Sequence, residues 1–464
     1  MSRLVVVSNR VALSSTKNRA NQGGLAMALQ AALKKYNGLW FGWSGRVTER
    51  PTEKVDTSKS HGVTVATVDL SHDEYEEYYN GFANKTLWPL CHYRIDLAAH
   101  ERSFDESYHK VNAKFARSLG DMLSDDEVIW IHDYHLIPLG EELRRMGCTQ
   151  RIGFFLHIPW PAHELLVTLP KHESLVRSLF VYDLVGLQSP SHVRALKEYI
   201  VEEAGGKIID EETLECYGRT LRVKAYPIGI DAQEMVKAAE AAYAKDHISR
   251  ISKTLHNRKL IIGVDRLDYS KGIRRRIRAY ETLLQRYPEN QGQIVLLQVA
   301  PPSRSEVEDY QDLRHGLDAL IGRLNGQFSE YDWAPVRYVN RGYTRRTLAG
   351  LYRKASVALV TPLRDGMNLV SKEYVAAQDP KDPGVLILSR FAGAASQLRD
   401  ALIVNPYDEM EMVDALQTAL NMPKKERKSR WEKLMHEVTT YDVYRWRDEF
   451  VSDLTTCRAH STKT

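Results

Sequence analysis

The segment Thr361-Pro362-Leu363-Arg364-Asp365-Gly366-Met367-Asn368-Leu369-Val370, followed by Glu373, carries the densest chemistry in the chain. An apolar run of strand length, Val357–Val360, enters a polar turn with an acid and a glycine, and the pattern predicts a helix from about Leu369. Backbone N–H groups, a positive helix end and two carboxylates then meet at the carboxyl end of a strand, where open α/β sheets bind ligands. N–H groups suit a phosphate and carboxylates suit sugar hydroxyls. The residues point to a nucleotide-sugar site. A second cluster, Gly263-Val264-Asp265-Arg266-Leu267-Asp268-Tyr269-Ser270-Lys271-Gly272, follows another apolar run. Arg266 and Lys271 could converge there and neutralise the charge on a departing diphosphate without a metal. A solvated loop with an Asp–Lys pair is the alternative, and Asp268 reads as a helix cap or as a support for Arg266.

Other candidates fall mostly in the N-terminal half. Arg10 follows the run Leu4–Ser8, and Gly23-Gly24 precede a predicted helix over Leu25–Lys35. Glycines there let a backbone approach a phosphate, although a glycine pair also serves a plain tight turn. Trp130-Ile131-His132-Asp133-Tyr134-His135 and Phe155-Leu156-His157-Ile158-Pro159-Trp160 each close an apolar run. Asp133 and His157 suit substrate hydroxyls, while His132 and His135 suit structural roles. A metal on these histidines would need its ligands within about 2.1 Å of one ion, and the two loops are separate. Aromatic residues cluster at Trp40-Phe41-Gly42-Trp43-Ser44-Gly45, Tyr78-Tyr79 and Leu87-Trp88-Pro89. Such rings suit the C–H faces of a pyranose, with core packing the plainer reading for Trp40 and Phe41. Arg304, after the run Ile294–Val299, adds one more cation.

These residues need a frame that delivers them from strand ends. Strand-length apolar runs recur at Leu4–Ser8, Val128–Ile131, Ile152–Leu156, Leu184–Leu187 and Leu221–Tyr226. They continue at Leu260–Val264, Ile294–Val299, Val336–Val339, Val357–Val360, Val385–Leu388 and Ala401–Val404. Most are continuously apolar, which indicates strands covered on both faces, and the helical stretches between them indicate parallel βαβ units. The expected fold class is α/β: two facing, doubly wound Rossmann-like domains with the active site in the interdomain cleft. The expected division is 1–232, 233–440, and a C-terminal helix over 441–464 that packs back on the N-terminal domain. Tyr441, Tyr444, Trp446 and Phe450 are its expected apolar face.

At 464 residues the chain exceeds one ordinary core. Its 43% hydrophobic and 27% charged residues describe a soluble globular protein, and a formal charge of +4 with dispersed basic residues argues against a nucleic-acid partner. Cys91, Cys148, Cys216 and Cys457 lack metal-ligand spacing and read as reduced thiols. The run Leu4–Val7 is too short for a signal peptide, and no run approaches the ~20 apolar residues of a membrane helix. A cytoplasmic protein without a membrane partner is expected.

Taken in order, these motifs resemble the trehalose-6-phosphate synthase family, retaining glucosyltransferases of GT-B fold. The resemblance runs from Leu4–Arg10 through Tyr226-Pro227-Ile228-Gly229-Ile230 to Glu373-Tyr374-Val375-Ala376-Ala377-Gln378. It implies transfer of glucose from UDP-glucose to glucose-6-phosphate, with UDP and α,α-trehalose-6-phosphate as products. It assigns Arg266, Lys271 and the Gly24 amide to the diphosphate, and Glu373 to the ribose. Asp365 with Gly366, Met367, Asn368 and Leu369 would hold the donor glucose and phosphates, with His157 near its 6-hydroxyl. Arg10, Tyr79, Trp88 and Arg304 would grip the acceptor, Asp133 its hydroxyls, with Trp43 at the edge of that shell. Arg266, Lys271, Asp133, His157 and Asp365 form the implied catalytic set. The family is thought to use no covalent nucleophile, the departing phosphate assisting deprotonation of the acceptor.

No cofactor or metal is expected. Trp160 stands where phenylalanine is expected, and the loop Val11–Gln22 is not distinctive. No Asp-x-Asp-x-Thr phosphatase signature follows, so a separate trehalose-6-phosphate phosphatase would act downstream. A homo-oligomer is left open. Runner-up readings are a synthase using GDP- or ADP-glucose or a glycerol-type phosphate acceptor, and a non-catalytic sugar-phosphate sensor. A Rossmann oxidoreductase lacks support, because strand one opens into Ser8-Asn9-Arg10 without a Gly-x-Gly-x-x-Gly turn.

Overall fold

Continuous apolar runs demand cover on both faces, and the chain answers with two sheets whose central strands are parallel. The structure, a computed structural model, describes residues 3–11, 33, 38–49, 54–60, 62–243, 251, 253–304 and 307–457. They fall into two compact units: described residues of Met1–Ser15, Gln22–Ile228 and Tyr444–Thr464 in one, and of Gly229–Val443 in the other. The division lies at Ile228/Gly229 and Val443/Tyr444, close to the expected 232 and 440.

The first unit holds strands β1 (Leu4–Arg10), β2 (Leu39–Val47), β3 (Asp56–Ser60), β4 (Val63–Leu70), β5 (Val128–His132) and β6 (Arg151–Phe155). Its remaining strands are β7 (Leu184–Leu187), β8 (Lys207–Ile208), β9 (Thr213–Cys216) and β10 (Arg219–Ala225). They form one sheet of order β3-β4-β2-β1-β5-β6-β7-β10-β9-β8, antiparallel only at its margins. The order reverses at β1, which lies between β2 and β5. Arg10 and the residues after His132 thus emerge beside that switch point, the place such sheets use for ligands. A π-helix, Tyr75–Leu87, and helix α1, Arg102–Gly120, follow β4.

The second unit begins with helix α2 (Ala232–Tyr243) and holds an all-parallel sheet of order β13-β12-β11-β14-β15-β16. Its strands are β11 (Lys259–Val264), β12 (Ile294–Val299), β13 (Val336–Val339), β14 (Val357–Val360), β15 (Val385–Ser389) and β16 (Leu402–Val404). The switch point lies between β11 and β14, so the loops carrying Arg266, Lys271 and Asp365 leave neighbouring strands. Helices α3 (Ile273–Arg286), α4 (Arg345–Lys354), α5 (Leu369–Ala377) and α6 (Lys424–Thr440) belong to this unit.

Helix α7, Val443–Thr456, packs on the first sheet: Trp446 and Phe450 lie 4.8 and 4.6 Å from the Trp130 ring. Asp453 accepts from Lys224 and Tyr226 on and after β10. Of the expected aromatic face, Tyr444 is instead exposed, with the Arg447 guanidinium beside its ring. Strands β2 and β4 were not expected from the apolar runs. Gly42 and Gly45 interrupt the first, and threonines the second, so neither reads as a buried strand. No helix among the described residues is long and apolar enough to cross a membrane.

Candidate active site

In the second unit, Asp268 caps a short turn, its Oδ1 accepting from the Ser270 N–H at 2.9 Å. That turn, Tyr269–Lys271, ends in Gly272 at φ +67, where a Cβ would run into the Thr361 carbonyl. Glycine therefore lets the Lys271 turn press against the end of β14. There Lys271 Nζ donates to Asp365 Oδ2 at 2.6 Å, and Asn368 Nδ2 reaches the same oxygen at 3.1 Å. The two clusters singled out in the sequence are thus joined by an ion pair.

The Asp365 turn is pinned by backbone bonds to the segment after β15: Asp365 N–H to Phe391 at 3.1 Å, Gly393 N–H to Asp365 at 3.2 Å and Ala394 N–H to Met367 at 2.8 Å. Gly366, Met367 and Asn368 are buried, and Leu369 opens α5. Asn368, at φ +79, caps that helix by accepting from the Ser371 N–H at 3.0 Å. The Ser371 N–H in the first turn of α5 is therefore taken by the protein, while the sequence reading assigned the backbone of Gly366 to Leu369 to the donor.

Beneath these loops lies Arg276, unexposed and absent from the sequence reading. Its Nη1 donates to Asp265 at 2.6 Å and Gln298 at 3.0 Å, and its Nε to Thr361 at 3.0 Å. Nη2 reaches the Lys271 carbonyl at 3.4 Å. Burial pushes the Asp265 carboxyl up in spite of this partner. The signal missed was helical spacing: Arg276 stands three residues after Ile273 and four before Tyr280, on the apolar face of α3, whereas Arg274 and Arg275 fall on its exposed face.

Glu373 lies 3.9 Å from Arg345, which also pairs with Glu234 of α2. Burial pushes the Glu373 carboxyl up to about 7, against the pull of Arg345. Arg266 is exposed just past β11. Arg304 is held by Asp268 at 2.9 Å and by the Tyr310 hydroxyl at 2.7 Å. Asp268 thus caps its turn and pairs with Arg304, more than the sequence foresaw for either. Gly23, Gly24 and the predicted helix around them lie outside the described residues, Leu33 excepted.

In the first unit, Arg10 pairs in register with Trp43 across β1 and β2. Its guanidinium lies 5.5 Å from the Trp43 ring and against Gly45, at φ +88, where a Cβ would come within 2.6 Å of the guanidinium nitrogens. Trp43 packs on Tyr79 at 5.6 Å, and Tyr79 stacks on His135 at 5.8 Å. Trp88 packs on His92 at 4.0 Å and on Tyr134 at 5.8 Å. Arg10, Trp43, Tyr79 and Trp88 therefore join one aromatic frame, with Trp43 and Trp88 buried as its walls.

Asp133 follows β5 at φ +76, a strained backbone for a non-glycine residue. Its Oδ1 accepts from the His157 N–H at 3.2 Å, bringing these two candidates together. His132 Nδ1 and His157 Nε2 lie 3.1 Å apart, and Gln188 Nε2 lies 3.4 Å from His157 Nδ1. The Gln188 amide oxygen accepts from the Ile228 N–H, so its nitrogen faces the ring as donor. Burial lowers His157 to about 3 and pushes His132 well down, which keeps both rings neutral. The pair bonds ring to ring, and the described residues contain no group of three or more His, Cys, Asp and Glu able to hold a metal.

The model of glycosyltransferase family 20 matches residues 2–456. The chain belongs to glycosyltransferase family 20. As a family member it is a glycosyltransferase with the GT-B fold. It is 46% identical over 458 residues to a trehalose-6-phosphate synthase of Sinorhizobium fredii, covering 98% of both chains. A UDP-forming α,α-trehalose-phosphate synthase of Burkholderia xenovorans, solved in complex with glucose-6-phosphate, is 48% identical at a TM-score of 0.95, covering 98% of this chain and 100% of that one. The E. coli enzyme bound with UDP-2-fluoro glucose is 44% identical at a TM-score of 0.93, covering 98% and 99%.

The buried Asp268–Arg304 pair gives a test of the second unit's rigidity. Asp268→Ala removes the counter-charge from a sequestered guanidinium, and breaking such a pair costs about 3–5 kcal/mol. A fall of that order in chemical denaturation is expected; an unchanged midpoint would mean that water screens the pair.

Proposed function

We propose that this chain makes α,α-trehalose-6-phosphate, transferring glucose from UDP-glucose to glucose-6-phosphate with retention and releasing UDP. The observation that carries this reading is the Lys271–Asp365 pair, which joins a cation and a sugar-binding carboxylate at the switch point of a family 20 sheet.

In this reading Arg266, Lys271 and the Gly24 amide hold the diphosphate, and Lys271 turns from Asp365 to the phosphates as the donor arrives. Asp365 and the backbone of Gly366 to Leu369 hold the glucose and phosphates, Glu373 the ribose, and His157 approaches the 6-hydroxyl. Arg10, Tyr79 and Arg304 take the acceptor phosphate, Asp133 its hydroxyls, and Trp88 and Trp43 its sides. Asp268 and Tyr310 hold the Arg304 fork in one direction before the phosphate comes, which lowers the ordering cost of binding.

The acceptor hydroxyl oxygen attacks the donor's anomeric carbon on the face from which UDP leaves. The carbon–oxygen bond to UDP breaks, and the hydroxyl proton passes to the departing phosphate. Arg266 and Lys271 stabilise the charge that develops there, so no metal or cofactor takes part. The product then passes to a separate phosphatase in the cytoplasm.

Nucleoside-diphosphate release measured across UDP-, GDP- and ADP-glucose with glucose-6-phosphate and glycerol-type phosphates tests the reading. UDP formed only with glucose-6-phosphate is expected. Turnover confined to another pair would reassign the substrates, and binding without turnover would make the chain a sensor. Arg266→Ala should lower turnover roughly a hundredfold, the scale for losing a transition-state charge partner; near-normal turnover removes that role.

Glu373 adds a pH signature. Its carboxyl sits near 7, so it gains charge as pH rises through neutrality and then accepts from both ribose hydroxyls. The donor KM should fall between pH 6 and 8, and Glu373→Gln should flatten that slope while leaving the acceptor KM in place.

A further inference from the structure

Tyr79 and Trp88 stand nine positions apart in the chain. In an α-helix of ~3.6 residues per turn that spacing makes about two and a half turns and sets the rings on opposite faces. Closing hydrogen bonds at i→i+5 gives ~4.4 residues per turn, and nine positions then make about two whole turns. The chain takes the second course. Residues Tyr75–Leu87 form a π-helix, and the Trp88 N–H donates to the Ala83 carbonyl, five positions back. Both rings accordingly reach the same short turn after Asp133: Tyr79 stacks on His135 at 5.8 Å and Trp88 packs on Tyr134 at 5.8 Å.

A π-helix this long is uncommon, and π geometry clusters at functional sites. Its inward face is tied down independently. Phe82 stacks on Tyr108 of α1 at 4.3 Å, and the Tyr78 hydroxyl donates to Asn9 Oδ1 at 2.8 Å. Tyr78 is unexposed and Asn9 is buried beside Arg10, at the end of β1. One buried bond therefore links the helix carrying Tyr79 to the strand carrying Arg10.

We propose that the π-helix is the specificity element of the acceptor half, and that Tyr78 is a positioning residue holding Tyr79 and Trp88 in register with Arg10. The inference rests on the reading of the first unit as the acceptor half. Tyr78 touches no substrate; it acts through Asn9 and the helix backbone.

Tyr78→Phe, Asn9→Ala and the double variant separate the outcomes, with UDP release and thermal melts as readouts. Tyr78→Phe should raise the glucose-6-phosphate KM about tenfold, the scale of a lost buried hydrogen bond. It should also narrow the preference for glucose-6-phosphate over glucose, with the UDP-glucose KM unchanged. The double variant should be no worse than the single ones, since both remove one bond. If Tyr78→Phe does not fold, Asn9→Ala probes the same bond from the strand. An unchanged acceptor KM in a folded variant overturns the inference, as does a rise in both KM values together with a lowered melting temperature. Wild-type chain that ignores glucose-6-phosphate overturns the proposed function itself, and the inference with it.

Discussion

A guanidinium sealed from water must be bonded in every direction its nitrogens point, or it does not stay buried. Arg276 meets that constraint with the strand ends of the second unit: Asp265 past β11, Gln298 on β12 and Thr361 past β14. The planar fork fixes the directions of its donors, so these three ends cannot shift separately. The turn of Lys271 hangs from the same group through its carbonyl. A buried ion pair is weak evidence of stability, and here its consequence is positional. The Lys271 and Asp365 loops face each other across a switch point whose two sides share one anchor.

The first unit reaches its arrangement by other means. Its frame is aromatic, running from Trp43 through Tyr79 to His135 and on through Tyr134 to Trp88. Ring stacking is short-ranged and loses little to salt, and it leaves Arg10 as a cation resting on a neutral wall. Asp133 contributes a carboxylate from a strained backbone that the β5–β6 loops hold in place, its N–H bonded to the Phe155 carbonyl at 2.8 Å. The second unit, by contrast, sets its loops with charge against charge.

Much of this frame can be read in the chain. The strands that end at Arg10, His132, Val264 and Val360 are legible because parallel strands covered on both faces are apolar over most of their length. The Lys271 and Asp365 clusters are legible because each packs polar residues directly behind such a run. The rest depends on tertiary context. Strand β2 hides behind its glycines, and Gly45 declares its purpose only once the Arg10 guanidinium is seen against it. Arg276 shares the apolar face of α3 with Ile273, Ile277 and Tyr280, but its partners Asp265, Gln298 and Thr361 come only with the fold. The π-helix is silent for a related reason: Tyr75–Leu87 contains no residue that demands closure at five positions, and the geometry follows from what Tyr78 and Phe82 pack against.

The chain of bonds from Ile228 through Gln188 and His157 to His132 has a polarity. The Ile228 N–H donates to the Gln188 amide oxygen, the Gln188 amide nitrogen donates to His157 Nδ1, and the Nε2–H of His157 points on to His132 Nδ1. Every dipole runs the same way, and no ring along it carries charge at neutral pH. The lone pair at His157 Nδ1 is therefore the only acceptor that this ring presents. A hydroxyl displacing Gln188 has to arrive proton first, which leaves its oxygen turned outward to accept from elsewhere. A hydroxyl bound there would be oriented by the ring without exchanging a proton with it.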